Sequence, residues 1–307
     1  MQETVIIFFQ KIASPTLDII MQIISMGGEQ LIFIAFISYI MWNVSKPLGY
    51  TLTYTLMSSS IFNGALKLIF HTPRPFQVID SVKGKRLATA EGFSFPSGHT
   101  QSAATFYISI ANYFHTIRWV ICTLIITVLV GISRLYLGVH WPIDVIGGII
   151  FGIIFATLVF QRILVLTQEQ EMLKRLTLHT GMITLLLVFI AILLVILHIV
   201  SEDILASMIK LLSITSGFSF GYYLESRGLN YIITGTRMVK LFRYITGLLG
   251  VLLILYGGKL LLPEHSISLF IRYGGAGFWA FYLYPLLGSR LPIDNEGNRL
   301  FQTTDVK

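Results

Sequence analysis

The chain has 307 residues, of which 54% are hydrophobic and only 12% charged, and its mean hydropathy is +0.76. A soluble protein carries about 25% charged residues, so this composition excludes an ordinary water-soluble domain. The formal net charge of +7 mostly reflects loops between apolar runs, which makes nucleic-acid binding a poor reading of it.

Residues 4–26 come first and are apolar, with Lys11, Pro15 and Asp18 interrupting them. An interfacial helix within 1–29 is expected there, with a tenth membrane span as the alternative. No basic start precedes the apolar part, so it does not read as a cleaved signal peptide. Crossing a bilayer as a helix takes ~20 mainly apolar residues, and nine further stretches approach this: 30–44, 50–70, 100–117, 119–138, 143–160, 181–200, 204–224, 244–262 and 267–289. The expected fold class is therefore an all-α integral membrane protein, a polytopic helical bundle of about nine transmembrane helices plus an N-terminal amphipathic or tenth helix. The stretch Gln161 to Thr180 is charged and divides the chain. Chemistry-bearing motifs are confined to 30–161, and 162–307 reads as further transmembrane helices and a tail.

Loop charges set the expected orientation. One set of loops holds Lys46, Arg118, Arg162, Lys174, Arg175, Arg227, Arg237, Lys240 and Arg243, joined by Arg290, Arg299 and Lys307 of the tail. Nine spans put all of these on one side, expected to be cytoplasmic, and put 71–99 and 139–142 on the other. Lys83, Lys85 and Arg86 run against this trend and read as a local anion-attracting patch or as a weakness in the orientation argument. Glu225 with Arg227 reads as an interfacial pair. Lys210, Lys259 and Arg272, near span ends, are expected to snorkel to the surface. The one cysteine, Cys122, lies inside a span, so neither an intramolecular disulfide nor a Cys/His metal cluster is expected.

Three short motifs stand out. The first is Lys67 followed by Arg74-Pro75, the second Pro96-Ser97-Gly98-His99, and the third Ser133-Arg134 with His140 and Asp144. Together they bring three cations, two histidines and one carboxylate. Phosphoryl transfer builds charge on three equatorial oxygens, so its catalysis is mainly positioning and electrostatic stabilisation. Arg suits bidentate contact with phosphate and Lys supplies a point charge. Gly98 permits close backbone approach, and a helix start after it offers free N–H groups. Pro142 reads as an early helix residue, so His140 or Trp141 caps a helix containing Asp144. A carboxylate on one ring nitrogen fixes the tautomer of His140 and raises the basicity of the other nitrogen. Ser133 reads as supporting the site. His71, Asp80 and Glu91 read as loop residues.

The ordered set K-x6-R-P, P-S-G-H and S-R-x5-H-x3-D resembles the signature of the type 2 phosphatidic acid phosphatase superfamily, over about residues 60–160. The resemblance implies a metal-independent membrane phosphatase without a cofactor. It makes His140 a nucleophile that forms a phosphohistidine, oriented by Asp144, and makes His99 the proton donor and later the base. Lys67, Arg74, Arg134, Ser97 and the Gly98 backbone would hold the phosphate. A lipid phosphate is the expected substrate: phosphatidic acid, phosphatidylglycerol phosphate or an isoprenoid pyrophosphate. The alternatives are a soluble ester such as a sugar phosphate, or a non-hydrolytic phosphate- or lipid-binding or transport protein. The expected partners are the bilayer and its lipid, not nucleic acid, and the sequence is silent on oligomeric state. A bacterial plasma membrane, an extracytoplasmic site and a cytoplasmic carboxyl terminus complete the expectation.

Overall fold

Apolar stretches with no water to satisfy their peptide groups must bond internally, and the computed structural model accordingly places them all in helices. It describes residues 1–290 and 299–303; Lys307 and the expected cytoplasmic terminus lie outside the described residues. In chain order the helices are α1 (Gln2–Lys11), α2 (Pro15–Met26), α3 (Gln30–Asn43), α4 (Lys46–Phe70), the short α5 (Pro75–Val78), α6 (Gly98–Phe114) and α7 (Ile117–Tyr136). Then come α8 (Pro142–Leu166), α9 (Gln170–Ile196), α10 (Glu202–Leu229), α11 (Arg237–Leu261) and α12 (266–290). Strand β1 (Tyr231–Ile232) pairs antiparallel with β2 (Gln302–Thr303).

Helices α7 to α11 are each long and apolar enough to cross a membrane; α2 and α3, bent by 43° at their junction, make a sixth if taken as one span. The chain is thus an all-helical integral membrane protein. Residues 4–26, expected as one helix, are two, because Pro15 starts a new helix capped by Ser14, whose hydroxyl accepts from the Leu17 N–H. The charged stretch 161–180 is not a loop. The chain turns only between α8 and α9, and the charged residues extend the helix ends, with Lys174 paired to Glu171 at 2.9 Å.

The chain divides into two units, Met1–Ile34 with Leu52–Ile163, and Ala35–Thr51 with Leu164–Lys307. The first contains all three motifs. Its centre is the packing of α6 against α7 and α8. Small residues let α8 approach α6 closely: a Cβ on Gly152 would meet the Ala104 Cβ at 2.3 Å, and one on Gly148 the Ser97 carbonyl at 2.8 Å. The turn after α7 is buried as well. Tyr136, Leu137 and Val139 form a core with Phe9, Leu17, Met21 and Phe76 against it, so α1 and α2 are part of this unit's packing.

In the second unit, two expectations are corrected. Arg272 does not snorkel; it is buried and donates through Nε (3.0 Å) and Nη2 (2.7 Å) to the Leu255 carbonyl. That carbonyl lies in a π-helical turn, Leu253–Gly257, where the regular backbone ladder is interrupted and an extra donor is required. Glu225 does not pair with Arg227. It is 1% exposed and bound by Lys46 at 2.8 Å, while its Oε1 also accepts the Tyr231 N–H. Arg227 donates to the Tyr223 hydroxyl instead.

Candidate active site

The site is assembled where α4 ends and where α6 and α8 begin. Proline starts α8 at Pro142, with Trp141 as its N-cap and His140 just outside the helix. One oxygen of Asp144, Oδ2, reaches back over this turn. It accepts from the Trp141 N–H at 2.8 Å and from the Ser94 hydroxyl at 2.5 Å, and lies 3.3 Å from His140 Nδ1. Spacing of four thus brings His140 and Asp144 together through a helix cap rather than along one helix face.

The other nitrogen of His140, Nε2, lies 3.1 Å from Arg74 Nη1. A guanidinium only donates, so Nε2 accepts, and in the neutral ring the proton sits on Nδ1 facing Asp144. That is the tautomer a nucleophilic Nε2 requires. Burial first, and then the positive field of Arg74, Lys67, Arg134 and His99, holds His140 well below the ordinary histidine range. It is 2% exposed and stays neutral at pH 7.

Arg74 follows α4 in a segment that Pro73 and Pro75 keep extended, with φ −84° and ψ 155° at the N-cap of α5. Its guanidinium gathers loop 91–93 and the α7–α8 turn. It donates to the carbonyls of Glu91 (2.8 Å), Gly92 (3.0 Å), Phe93 (3.3 Å) and Val139 (2.8 Å). Burial lowers it to about 10, which leaves it charged at neutral pH. Lys67, in the last turn of α4, donates to the Phe93 carbonyl. Arg134, in the last turn of α7, is completely buried. Its Nη1 bonds the Ser25 hydroxyl at 2.7 Å, while Nε and Nη2 have no hydrogen-bond partner among the described residues. Buried donors without acceptors are costly, about 1–3 kcal/mol each and more when charged, so this corner of the site is built to take an anion.

Ser97 is the N-cap of α6. Its hydroxyl bonds the Thr100 hydroxyl at 2.9 Å and is engaged in the cap, and its N–H donates to the Asp144 carbonyl at 2.9 Å. Gly98 is open: the nearest atom to a Cβ there would be Asn63 Oδ1 at 3.5 Å. The side chain of Asn63 bridges Pro96 and Gln101, at 3.3 and 2.8 Å, and so holds α4 to the start of α6. His99, in the first turn of α6, has a buried Nε2 with no partner within bonding distance among the described residues. The structure therefore brings all eight motif side chains and backbone positions into one unit. Ser133 bonds the Val130 carbonyl within its own helix. His71 packs against Phe93 at the rim.

Sequence reasoning missed Ser94, Ser25 and Glu29. Glu29 binds Arg86 at 2.7 Å and lies 4.0 Å from His99 Nε2. The one available signal was that Asp18 and Ser25, seven apart, interrupt an apolar segment on one helical face. Among the described residues, no three His, Cys, Asp or Glu side chains converge as a metal-holding group.

Comparison with known proteins places the chain in a family. A PAP2 superfamily model matches residues 48–168, and a model for the transmembrane extension of PAP2 superfamily phosphatases matches 209–296. Together they cover more than half of the chain. An undecaprenyl-diphosphatase of Sulfolobus acidocaldarius is 27% identical over 45% of this chain and 66% of its own length. Phosphatidylglycerophosphatase B of Bacillus subtilis is 43% identical over 24% of this chain and 40% of its own. The chain thus spans less than two thirds of these relatives. A crystal structure of a transmembrane PAP2 type phosphatidylglycerolphosphate phosphatase from Bacillus subtilis aligns with 52% of this chain and 82% of that one, at 28% identity and a TM-score of 0.45.

Proposed function

Because the chain belongs to the PAP2 superfamily, we propose that it is a membrane phosphatase that hydrolyses a lipid phosphate or pyrophosphate through a phosphohistidine. The observation that carries this is the pairing of a lone pair with orphaned cations. His140 Nε2 is an acceptor fixed by Arg74, beside an Arg134 guanidinium with two unused donors.

In the first step, the Nε2 lone pair of His140 attacks phosphorus and the P–O bond to the leaving group breaks. Protonated His99 gives its proton to the departing oxygen. Asp144 stabilises the charge that develops on the His140 ring. In the second step, water attacks the phosphohistidine, the P–N bond breaks, and the water proton passes to His99. Phosphate leaves, and both histidines return to their starting states. Lys67, Arg134 and the N–H groups at Gly98 and His99 hold the equatorial oxygens, Arg74 joins them by turning its Nη1–H from His140 Nε2 to the phosphate as that lone pair attacks, and Ser97 closes that side.

In this reading the chain crosses the membrane about nine times, with an N-terminal amphipathic or tenth helix. The starts of α6 and α8 and the end of α7 share one face, and the basic loops 115–118 and 162–175 lie at the other ends of the same helices. By the positive-inside rule, the site faces away from the cytoplasm. Residues 30–161 form the catalytic core, and 162–307 an additional helical region.

The test is phosphate release in detergent from phosphatidic acid, phosphatidylglycerol phosphate, undecaprenyl pyrophosphate and glucose-6-phosphate. Wild type is expected to act on a lipid substrate, in the presence of EDTA, and to be inhibited by vanadate. His140→Ala should lose at least ~1,000-fold in kcat. Full activity of that variant would sink the mechanism. A preference for glucose-6-phosphate would replace the lipid with a soluble ester.

A further inference from the structure

We propose that Glu29, clamped by Arg86, is a positioning residue for His99, so that the site contains two histidine–carboxylate pairs, one for each histidine. The inference rests on the phosphatase reading above, since it concerns the proton that His99 delivers.

Glu29 stands at the bend between α2 and α3, far in sequence from every motif. Three contacts bring it to His99. The backbone of the bend lies directly on the histidine: a Cβ on Gly28 would come within 2.7 Å of the His99 carbonyl. The Tyr107 hydroxyl, from the middle of α6, donates to the Gly27 carbonyl at 2.9 Å and fixes the bend to the helix that carries His99. The Glu29 carboxylate is then aimed by Arg86, whose Nε and Nη2 both reach Oε1 at 2.7 Å. The same oxygen lies 4.0 Å from His99 Nε2, a nitrogen that is buried and has no other partner among the described residues.

A ring nitrogen without a partner leaves the tautomer of a histidine unspecified, and a carboxylate on one side specifies it. Catalytic contacts are often long before substrate binds and tighten in the complex. Closing the gap gives Nε2–H to Glu29 and turns Nδ1 to the leaving oxygen. His99 stands among cations, with Arg134, Lys67, Arg74 and Arg86 all contributing positive field there. Glu29 is the carboxylate nearest to it, and so it favours the protonated ring that must act as the acid.

A residue acting through the general acid matters in proportion to how much the leaving group needs a proton. An alkoxide needs one, whereas a nitrophenolate departs without it. Chain-matched long-chain alkyl and nitroaryl phosphates, compared in detergent, separate the cases. Glu29→Gln should lower kcat on the alkyl phosphate by about 10–100-fold, part of the ~100–10,000-fold worth of general acid catalysis. On the nitroaryl phosphate the loss should stay under about threefold, and KM for both should move little. Arg86→Gln, which keeps the carboxylate but frees it, should give the same pattern at smaller amplitude. Equal losses on the two substrates would make Glu29 a structural tie between the bend and the 79–90 loop, and no loss on the alkyl phosphate would remove it from the reaction. Either outcome, with an active wild type, overturns the inference alone. A wild type inactive on both substrates would instead overturn the phosphatase reading.

Discussion

Ser94 shows how much a single uncharged residue does at this site. Its hydroxyl bonds Asp144 Oδ2 at 2.5 Å and lies 3.4 Å from His140 Nδ1, while its own N–H is held by the Thr72 carbonyl at 2.8 Å. Removing a hydrogen bond to a charged group costs about 1.5–3 kcal/mol. Ser94→Ala is therefore expected to lower kcat by ~10–100-fold with little change in detergent melting temperature. A kcat within twofold of wild type would show that the backbone N–H of Trp141 orients Asp144 alone. The motif residues were legible because charged side chains in an apolar chain are conspicuous and their spacing was informative. Ser94 was not, since nothing separates it from the other small polar residues of loop 71–96 until the fold sets it between the two. Glu29 escaped for a different reason: its partners His99 and Arg86 lie 70 and 57 positions away, beyond any local spacing.

At the level of elements, hydropathy located the helices but not their ends. The stretch expected to span at 181–200 belongs to a helix that starts at Gln170, and the one expected at 244–262 starts at Arg237. Hydropathy reads side chains, whereas a helix continues for as long as its backbone bonds are the best available, and charged residues are well accommodated in its wet terminal turns. The contact of α8 with α6 was likewise invisible, although the glycines that make it possible were in plain view. Both helices start at the site, so their separation bears on the geometry of His99, in the first turn of α6, and of His140, just before α8. Gly152→Leu places a large side chain where even a Cβ would meet Ala104 at 2.3 Å. Overpacking typically costs about 1–3 kcal/mol, and here backbone is among the atoms struck. The variant should melt several degrees lower and lose most of its phosphatase activity. Wild-type stability and activity together would mean that α8 is free to move away from α6.

For the whole molecule, orientation is the property with the largest consequences. With the proposed orientation, the site would meet lipids of the outer leaflet and would release its phosphate product outside the cell. A protease site added after the described residues should be cut only in inverted vesicles or permeabilised cells. Cleavage in intact cells would put the basic loops outside and reverse the assignment. The Ser97 N–H donates to the Asp144 carbonyl at 2.9 Å, so the segments carrying His99 and His140 are joined main chain to main chain. The separation of the two histidines is thus gauged by a main-chain hydrogen bond, which no side chain supplies. Substitution can alter every chemical group around the phosphate and leave that gauge intact, and only proline at 97 would erase it by removing the N–H. Leaving groups as unlike as a glycerolipid and a polyprenyl phosphate can then be served by changing the walls of the site while its calibration stays fixed.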